Sequence, residues 1–321
     1  MLRLMQRKKD RQMKGKRWIS RLVSALMICV MAVSLTACVD QKQGKKDSSS
    51  DTKKESQTTD QRIVACSMAI AEIADKMNLD LVGVPTETLT PLPDRYKGVT
   101  DVGSPMSPDM EIIKSLNPDV VLCPLTLKPS LETKFKDAGI TCYFLNLKSV
   151  PGMYKSIQQL GEKFGREKEA DNLVDEFKTT YKKYADRNKD KESPTVLILM
   201  GVPGAYIVAT EESYVGSLAK LAGATNVYEG ETEEFIEANT EDMQKKDPDI
   251  ILRCAHAMPD QVKEMFAKDF ATNDIWKHFR AVQEGKVYDL SYDHFGMSAK
   301  FNWPEALDEL QPYLYGDDNE K

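Results

Sequence analysis

The chain has 321 residues, with 44 Lys and Arg against 50 Asp and Glu for a net charge of −6, and 41% of it is apolar. That length and apolar share are enough for two lobes with cores of their own. The acidic balance argues against nucleic acid as a partner, and a polyanionic ligand would need a local basic patch.

Taken in chain order, the amino end comes first. Arg3, Arg7, Lys8, Lys9, Arg11, Lys14, Lys16, Arg17 and Arg21 lead into an apolar stretch from Leu22 to Val33, then Leu35-Thr36-Ala37-Cys38. Basic, apolar and small-residue regions in that order mark residues 1–37 as a cleaved export signal, and the apolar stretch is short for a membrane span. Small residues before a cysteine read as a lipobox, which makes Cys38 the lipidated first residue of the mature chain. The alternative is a plain signal with an incidental cysteine. From Asp40 to Asp60 there is no aliphatic residue. Residues 38–60 therefore read as a lipidated cysteine and a disordered tether, with a flexible-coil reach of about 25 Å. Such a chain is anchored to a membrane and does not span it. Residues 1–37 hold nine basic residues and one acidic residue, so their removal leaves 35 basic and 49 acidic, a net of −14.

Residues 61–150 read as a first α/β lobe. Strands are expected at 61–66 and 81–84, with a helix between them through Met77, and a Pro-rich loop from Pro85 to Tyr96. Met110 to Leu122 then reads as a short helix opened by Glu111, broken at Pro118-Asp119, and followed by the buried strand Val120-Val121-Leu122. A helix ends at Gly139, and Thr141 to Phe144 is another strand. Strands alternating with helices argue for a parallel sheet.

Residues 151–192 carry no strand signal. Met153, Ile157, Leu160 and Phe164 recur at helical spacing, Gly165 interrupts, and Ala170, Leu173, Val174, Phe177, Tyr181 and Tyr184 recur likewise. The second run reads either as one long helix bridging two lobes or as ordinary surface helices. Residues 193–316 read as a second lobe: strands at 195–200 and 206–209, a helix from Ser213 to Ala222 closed by Gly223, a helix near 259–270, a strand at 286–290 and a closing helix at 304–314. Residues 317–321 are a polar tail. Within this lobe Thr240 to Leu252 repeats the Met110–Leu122 segment 130 positions later, with Glu241 for Glu111 and Pro248-Asp249 for Pro118-Asp119. That period is too long for a solenoid and suits two similar lobes with a ligand cleft between them.

No GxSxG, HExxH, GxxxxGK[ST] or GxGxxG is present, so no enzyme is read here. Gly201-Val202-Pro203-Gly204 is either a phosphate-facing loop or, better, a tight turn. Cys66, Cys123, Cys142 and Cys254 lack zinc spacing and read as buried thiols, with a disulfide open outside the cell. Three scattered histidines, His256, His278 and His294, fit a zinc or manganese importer poorly. One histidine with a sulfur partner suits haem iron, which takes Met and His as an axial pair. His256 follows the second repeat strand, and the carboxyl ends of parallel strands open on the ligand crevice; the bland reading is a surface or capping histidine. His278 reads as structural. His294, beside Phe295, is a loop residue at the pocket's edge. Met106 stands between Pro105 and Pro108 in a polar loop that should face the cleft.

Lipobox, tether, two α/β lobes, a long connecting helix and paired Glu-Pro-Asp segments resemble the class III ABC-transporter substrate-binding proteins, which bind siderophores, cobalamin or haem. Leu92-Pro93-Asp94-Arg95-Tyr96-Lys97, Gly103-Ser104-Pro105-Met106-Ser107-Pro108, Val196 to Gly204, Asp249 to Arg253, His256-Ala257-Met258-Pro259 and Asn273 to Phe279 resemble the haem-binding lipoproteins of that class. The resemblance covers nearly all of the chain after the tether. It implies two lobes with central parallel-type sheets joined by a long bridging helix. It implies haem as ligand, Met106 and His256 as its axial iron ligands, and His294 as a pocket residue or alternative ligand where the chain departs from the pattern. It also implies a monomer, lipid-anchored through Cys38 on the outer face of the cell membrane, that receives haem from upstream cell-wall proteins. Glu111 and Glu241 would meet arginines on an ABC permease. A ferric siderophore or cobalamin carrier of the same class is the alternative, and a lipid-tethered cell-wall hydrolase a remote one.

Overall fold

A computed structural model of the chain describes residues 61–87 and 91–316. The export signal, the lipobox with Cys38, the tether and the tail at 317–321 lie outside the described residues. The first sheet comes from β1 (Ile63–Ala65), α1 (Met68–Lys76), β2 (Leu81–Val84), β3 (Thr100–Asp101), a hairpin of β4 (Gly103–Ser104) and β5 (Ser107–Pro108), α2 (Met110–Ser115), β6 (Val120–Pro124), α3 (Lys128–Asp137) and β7 (Cys142–Leu145). Its order is β3-β2-β1-β6-β7, and every pairing is parallel. A parallel sheet is covered on both faces, which is why β6 is a continuous apolar run with every residue buried. Each aliphatic side chain buried there contributes about 2 kcal/mol.

Two helices follow, α4 (Val150–Phe164) and α5 (Glu167–Asn188). Ser149 caps α4 by accepting from the Gly152 amide, and Gly165 ends it in the left-handed region at φ 65°. The helix after Gly165 runs 22 residues, as the single-helix reading expects, and spans about 33 Å. It packs on α4 and reaches Gln311 near the carboxyl end of the described chain. Phe177 stacks on Tyr154 of α4 at 4.5 Å, and Asn188 at the far end exchanges two 2.9 Å amide hydrogen bonds with Gln311.

The second sheet is built from β8 (Thr195–Val202), β9 (Ala205–Ala209), α6 (Tyr214–Leu221), β10 (Thr225–Asn226), β11 (Phe235–Ile236), α7 (Thr240–Lys246), β12 (Ile250–Ala255), α8 (Pro259–Thr272), α9 (Arg280–Gln283), β13 (Val287–Asp289) and α10 (Trp303–Tyr315). Its path is β11-β9-β8-β12-β13, with β10 also on β8. The core trio β8-β12-β13 is parallel, as expected. The strand at 205–209 instead returns antiparallel on β8, and β11 pairs antiparallel with it. The reason lies in Pro203-Gly204: Gly204 has φ 86°, and Pro followed by a positive-φ Gly makes a two-residue hairpin turn. The 201–204 segment is thus the tight turn, not a phosphate loop.

The two sheets share one buried cluster. It runs from Ile70, Leu122 and Leu147 through Met153, Ile157 and Phe164 to Ile198, Leu218 and Leu310. Trp303 of α10 donates to Tyr154 Oη at 3.1 Å, and Lys148 Nζ pairs with Glu234 at 2.9 Å. Hinge motion between the sheets would have to break this shared core. The four described cysteines are free thiols. Burial pushes the Cys254 thiol up to about 12. Among the described residues no helix is long and apolar enough to cross a membrane.

Candidate functional site

Both repeats place their glutamate the same way. Asp109 caps α2, its Oδ1 accepting from the Glu111 and Ile112 amides at 3.0 Å. Asn239 caps α7, its Oδ1 accepting from Glu241 and Asp242 at 3.1 Å. Glu111 and Glu241 are therefore both second in a capped first turn, where the helix dipole favours a carboxylate. Both are exposed, and neither is in an ion pair among the described residues.

Met106 sits in the turn of the β4–β5 hairpin, where the sequence reads as a loop because each strand is only two residues long. The hairpin follows β3 and is tied down at its base. Gly103 donates to Asp101 Oδ1 at 2.7 Å, and the Gly103 carbonyl accepts from Thr86. Gly103 has φ 92°, and a Cβ there would press on Ser107 and Asp109 backbone at 3.1 Å. A rigid base thus carries an exposed tip, and Met106 is 71% exposed.

His256 follows β12 directly, and its backbone amide donates to the Gly201 carbonyl at 2.9 Å. Two residues on, Met258 adopts φ 50° and is 55% exposed. That left-handed residue turns the chain into α8, where Pro259 suits the first turn. Val262 and Phe266 of α8 pack on Gly201, where a Cβ would meet Phe266 at 2.8 Å. The turn is fixed from below while the His256 side chain stays exposed. Arg253, in the same strand, forms a bidentate pair with Asp289 at 2.7 and 2.8 Å, with its guanidinium 4.7 Å from the Phe270 ring.

Two cavities lie at the carboxyl ends of strands, one at β1 and one at β12. The larger, about 590 Å³, joins the two halves: Met68, Ala69, Glu72 and Leu92 from the first, Asp293 and Lys300 from the second. It lies at the carboxyl end of β1, where α1 begins. Burial pushes the Glu72 carboxyl up, while Lys76 and Lys300 pull it back. The smaller, about 220 Å³, is lined by Ala255, Pro259, Ser291 and Glu309. Neither lining includes Met106 or His256. The two expected iron ligands both have exposed side chains.

His278 ends a short 3-10 turn and is exposed. His294 is half-buried and not a free loop residue: its Nδ1 lies 2.7 Å from Glu309 Oε2. Glu309, Arg253 and Asp289 have no signal in the sequence, because the partners in each pair lie 15 or 36 residues apart and follow no spacing rule. Among the described residues no group of three or more His, Cys, Asp or Glu side chains is placed to hold a bare metal ion.

The periplasmic binding protein family matches residues 63–293, and the chain belongs to that family. By class it is an ABC-transporter substrate-binding protein. It is 41% identical over 299 residues to the high-affinity heme uptake system protein IsdE of Staphylococcus aureus strain Newman, covering 92% of this chain and 99% of that one. Among solved structures, an ABC transporter substrate-binding protein from Listeria monocytogenes is 47% identical with a TM-score of 0.76, over 80% of this chain and 99% of that one. The S. aureus IsdE structure complexed with heme is 42% identical with a TM-score of 0.74, over 80% and 99%. These relatives are substrate-binding proteins of transport systems.

Proposed function

We propose that this protein binds haem in the groove between its two lobes and hands it to an ABC importer, binding and releasing without chemistry of its own. The observation that carries the reading is a pair of exposed donors on rigid mounts. A thioether sits at the tip of the β4–β5 hairpin, and an imidazole sits in the turn after β12. Met106 and His256 are the axial ligands in this reading, one from each lobe. Similarity to a heme uptake protein over almost the whole of both chains supports it. The protein acts as a monomer, lipid-anchored through Cys38 on the outer face of the membrane. It takes haem from upstream cell-wall proteins, and Glu111 and Glu241 meet the permease.

The test is a haemin titration followed by absorption and magnetic circular dichroism. The wild type should give a six-coordinate spectrum with a thioether-to-iron signature. His256→Ala should lose about tenfold or more in affinity, the factor that corresponds to about 1.4 kcal/mol. Met106→Ala should lose less, because a thioether is the weaker donor to ferric iron. A wild-type protein that takes up no haem would overturn the reading. Wild-type spectra and affinity in both variants would overturn the ligand assignment.

A further inference from the structure

His294 belongs to the part of the sequence where the chain departs from the haem-lipoprotein pattern, and the structure gives it a partner. Its Nδ1 is 2.7 Å from Glu309 Oε2. The same carboxylate accepts from the Ser291 amide at 2.8 Å and from the Ser291 hydroxyl at 2.7 Å. A carboxylate holding these donors accepts and does not donate, so the ring proton belongs on Nδ1. That leaves the lone pair on Nε2, which has no hydrogen-bond partner among the described residues. An imidazole whose other nitrogen is anchored to a carboxylate is the arrangement that fixes tautomer and ring direction in metal-ligating histidines.

Its location fits that chemistry. β13 lies beside β12 with Asp289 opposite Arg253, and the Leu290 amide donates to the Arg253 carbonyl. The loop bearing His294 therefore leaves the sheet at the same carboxyl edge as the turn bearing His256. Asp293, next to it, lines the 590 Å³ cavity, while Glu309 lines the 220 Å³ cavity with Ala255, the residue before His256. His294 itself is in neither lining, but its neighbours in the loop and its partner Glu309 reach both. Phe295 is fully buried behind it, and Asn302 donates to the Asp293 carbonyl, so the loop is pinned on both sides.

We propose that His294 is a second iron-ligating imidazole for the haem cargo, on the same lobe as His256, able to hold the iron when His256 does not. This rests on the haem reading above. Because both histidines sit on one rim, His294 substitutes for His256 and not for Met106. Two imidazoles on one lobe give the iron a place to pass through on arrival or release without leaving the thioether.

The experiment titrates haemin into the wild type, His256→Ala, and His256→Ala combined with His294→Ala or with His294→Gln. The glutamine can still donate to Glu309, which guards against a loop that simply comes apart. The single variant should bind more weakly than wild type yet keep a six-coordinate Met–His spectrum. Both double variants should lose that spectrum and fall about a further tenfold in affinity. Free imidazole should restore a six-coordinate spectrum in the double variants, showing that the pocket is folded and its iron position open. Identical spectra and affinities in the single and double variants, with haem still bound by the wild type, would overturn the role of His294 alone. A wild type that binds no haem would overturn the functional reading, and this proposal with it.

Discussion

The two repeat segments agree where they build the fold and diverge where they hold it. In the first, Asp109 caps the helix, Asn117 turns left-handed at φ 45° before Pro118, and Asp119 Oδ2 accepts from the Arg62 amide at 2.7 Å. In the second, Asn239 caps, Asp247 turns left-handed at φ 44° before Pro248, and Asp249 Oδ2 accepts from the Thr195 amide at 2.8 Å. In both, an arginine closes the helix's carboxyl end. Arg62 donates to the Leu116 carbonyl at 2.7 and 2.9 Å, and Arg280 donates to the Asp247 carbonyl at 3.2 Å. These arginines come from unrelated places, one at the edge of β1 and one in α9. The same need, open carbonyls at a helix end beside a positive-φ residue, was met twice by different residues.

The divergence is in Asp249. It also accepts from the Thr195 hydroxyl at 2.7 Å and from Arg280 at 2.8 Å, whereas among the described residues the Asp119 carboxylate holds only the Arg62 amide. The second repeat is therefore more tightly tied than the first. It is also the repeat whose strand carries His256. Met106 stands on a hairpin in the first half, and His256 on a turn fixed to the sheet in the second.

The largest expected effect tests whether the two lobes are equivalent toward the permease. Glu111→Ala and Glu241→Ala should each leave haem binding unchanged and reduce haem uptake by cells about tenfold, the factor for about 1.4 kcal/mol lost at a docking contact. The double variant should be lower still. Uptake that depends on only one glutamate would break the symmetry, and normal uptake in the double variant would remove docking from both.

A smaller effect separates the repeats in stability. Asp249→Ala should cost about 2 kcal/mol and Asp119→Ala about 1 kcal/mol in urea unfolding, because the first loses three partners and the second one. Acid should act through the second lobe. Burial pushes the Asp249 carboxyl up, but the Thr195 amide and hydroxyl and the Arg280 guanidinium outweigh it and hold it below the usual carboxylate value. A depressed carboxyl adds stability that is present above the unfolded-chain value of about 3.9 and fades as pH falls through the folded value. The gap between wild type and Asp249→Asn should therefore be full at neutral pH and shrink below about pH 4. Equal losses from Asp119 and Asp249, or a gap that ignores acid, would show that Arg280 and the Thr195 hydroxyl add nothing.

The repeats were legible in the sequence because proline breaks a helix wherever it falls and a covered strand must be apolar. Helical structure after Gly165 was legible from the recurring apolar positions, but whether it was one helix or two was not, and the structure makes it one of 22 residues. What escaped is built from short or distant pairings. The β4–β5 hairpin has two residues per strand, too few for alternation to show. The antiparallel return of β9 was masked because 206–209 is as apolar as a parallel strand would be. His294 and Glu309 lie 15 residues apart across a loop and into a helix, a separation with no periodic meaning.

The smallest effect sharpens the comparison at the left-handed residue. Asn117 and Asp247 occupy one backbone position, and glycine would adopt it without the Cβ clash that costs a side chain about 1 kcal/mol there. Against that stands a larger entropy loss on folding, about 0.5 kcal/mol. Asn117→Gly should then gain about 0.5 kcal/mol, since its side chain has no hydrogen-bond partner among the described residues. Asp247→Gly gives up the 3.1 Å contact from Arg280 Nε. That pair is exposed and screened by solvent, so its loss is small and offsets the equally small gain. Asn117→Gly should raise the urea midpoint slightly, and Asp247→Gly should leave it in place. If both variants rise together, the Arg280–Asp247 pair contributes nothing, and the tighter tie of the second repeat rests on Asp249 alone.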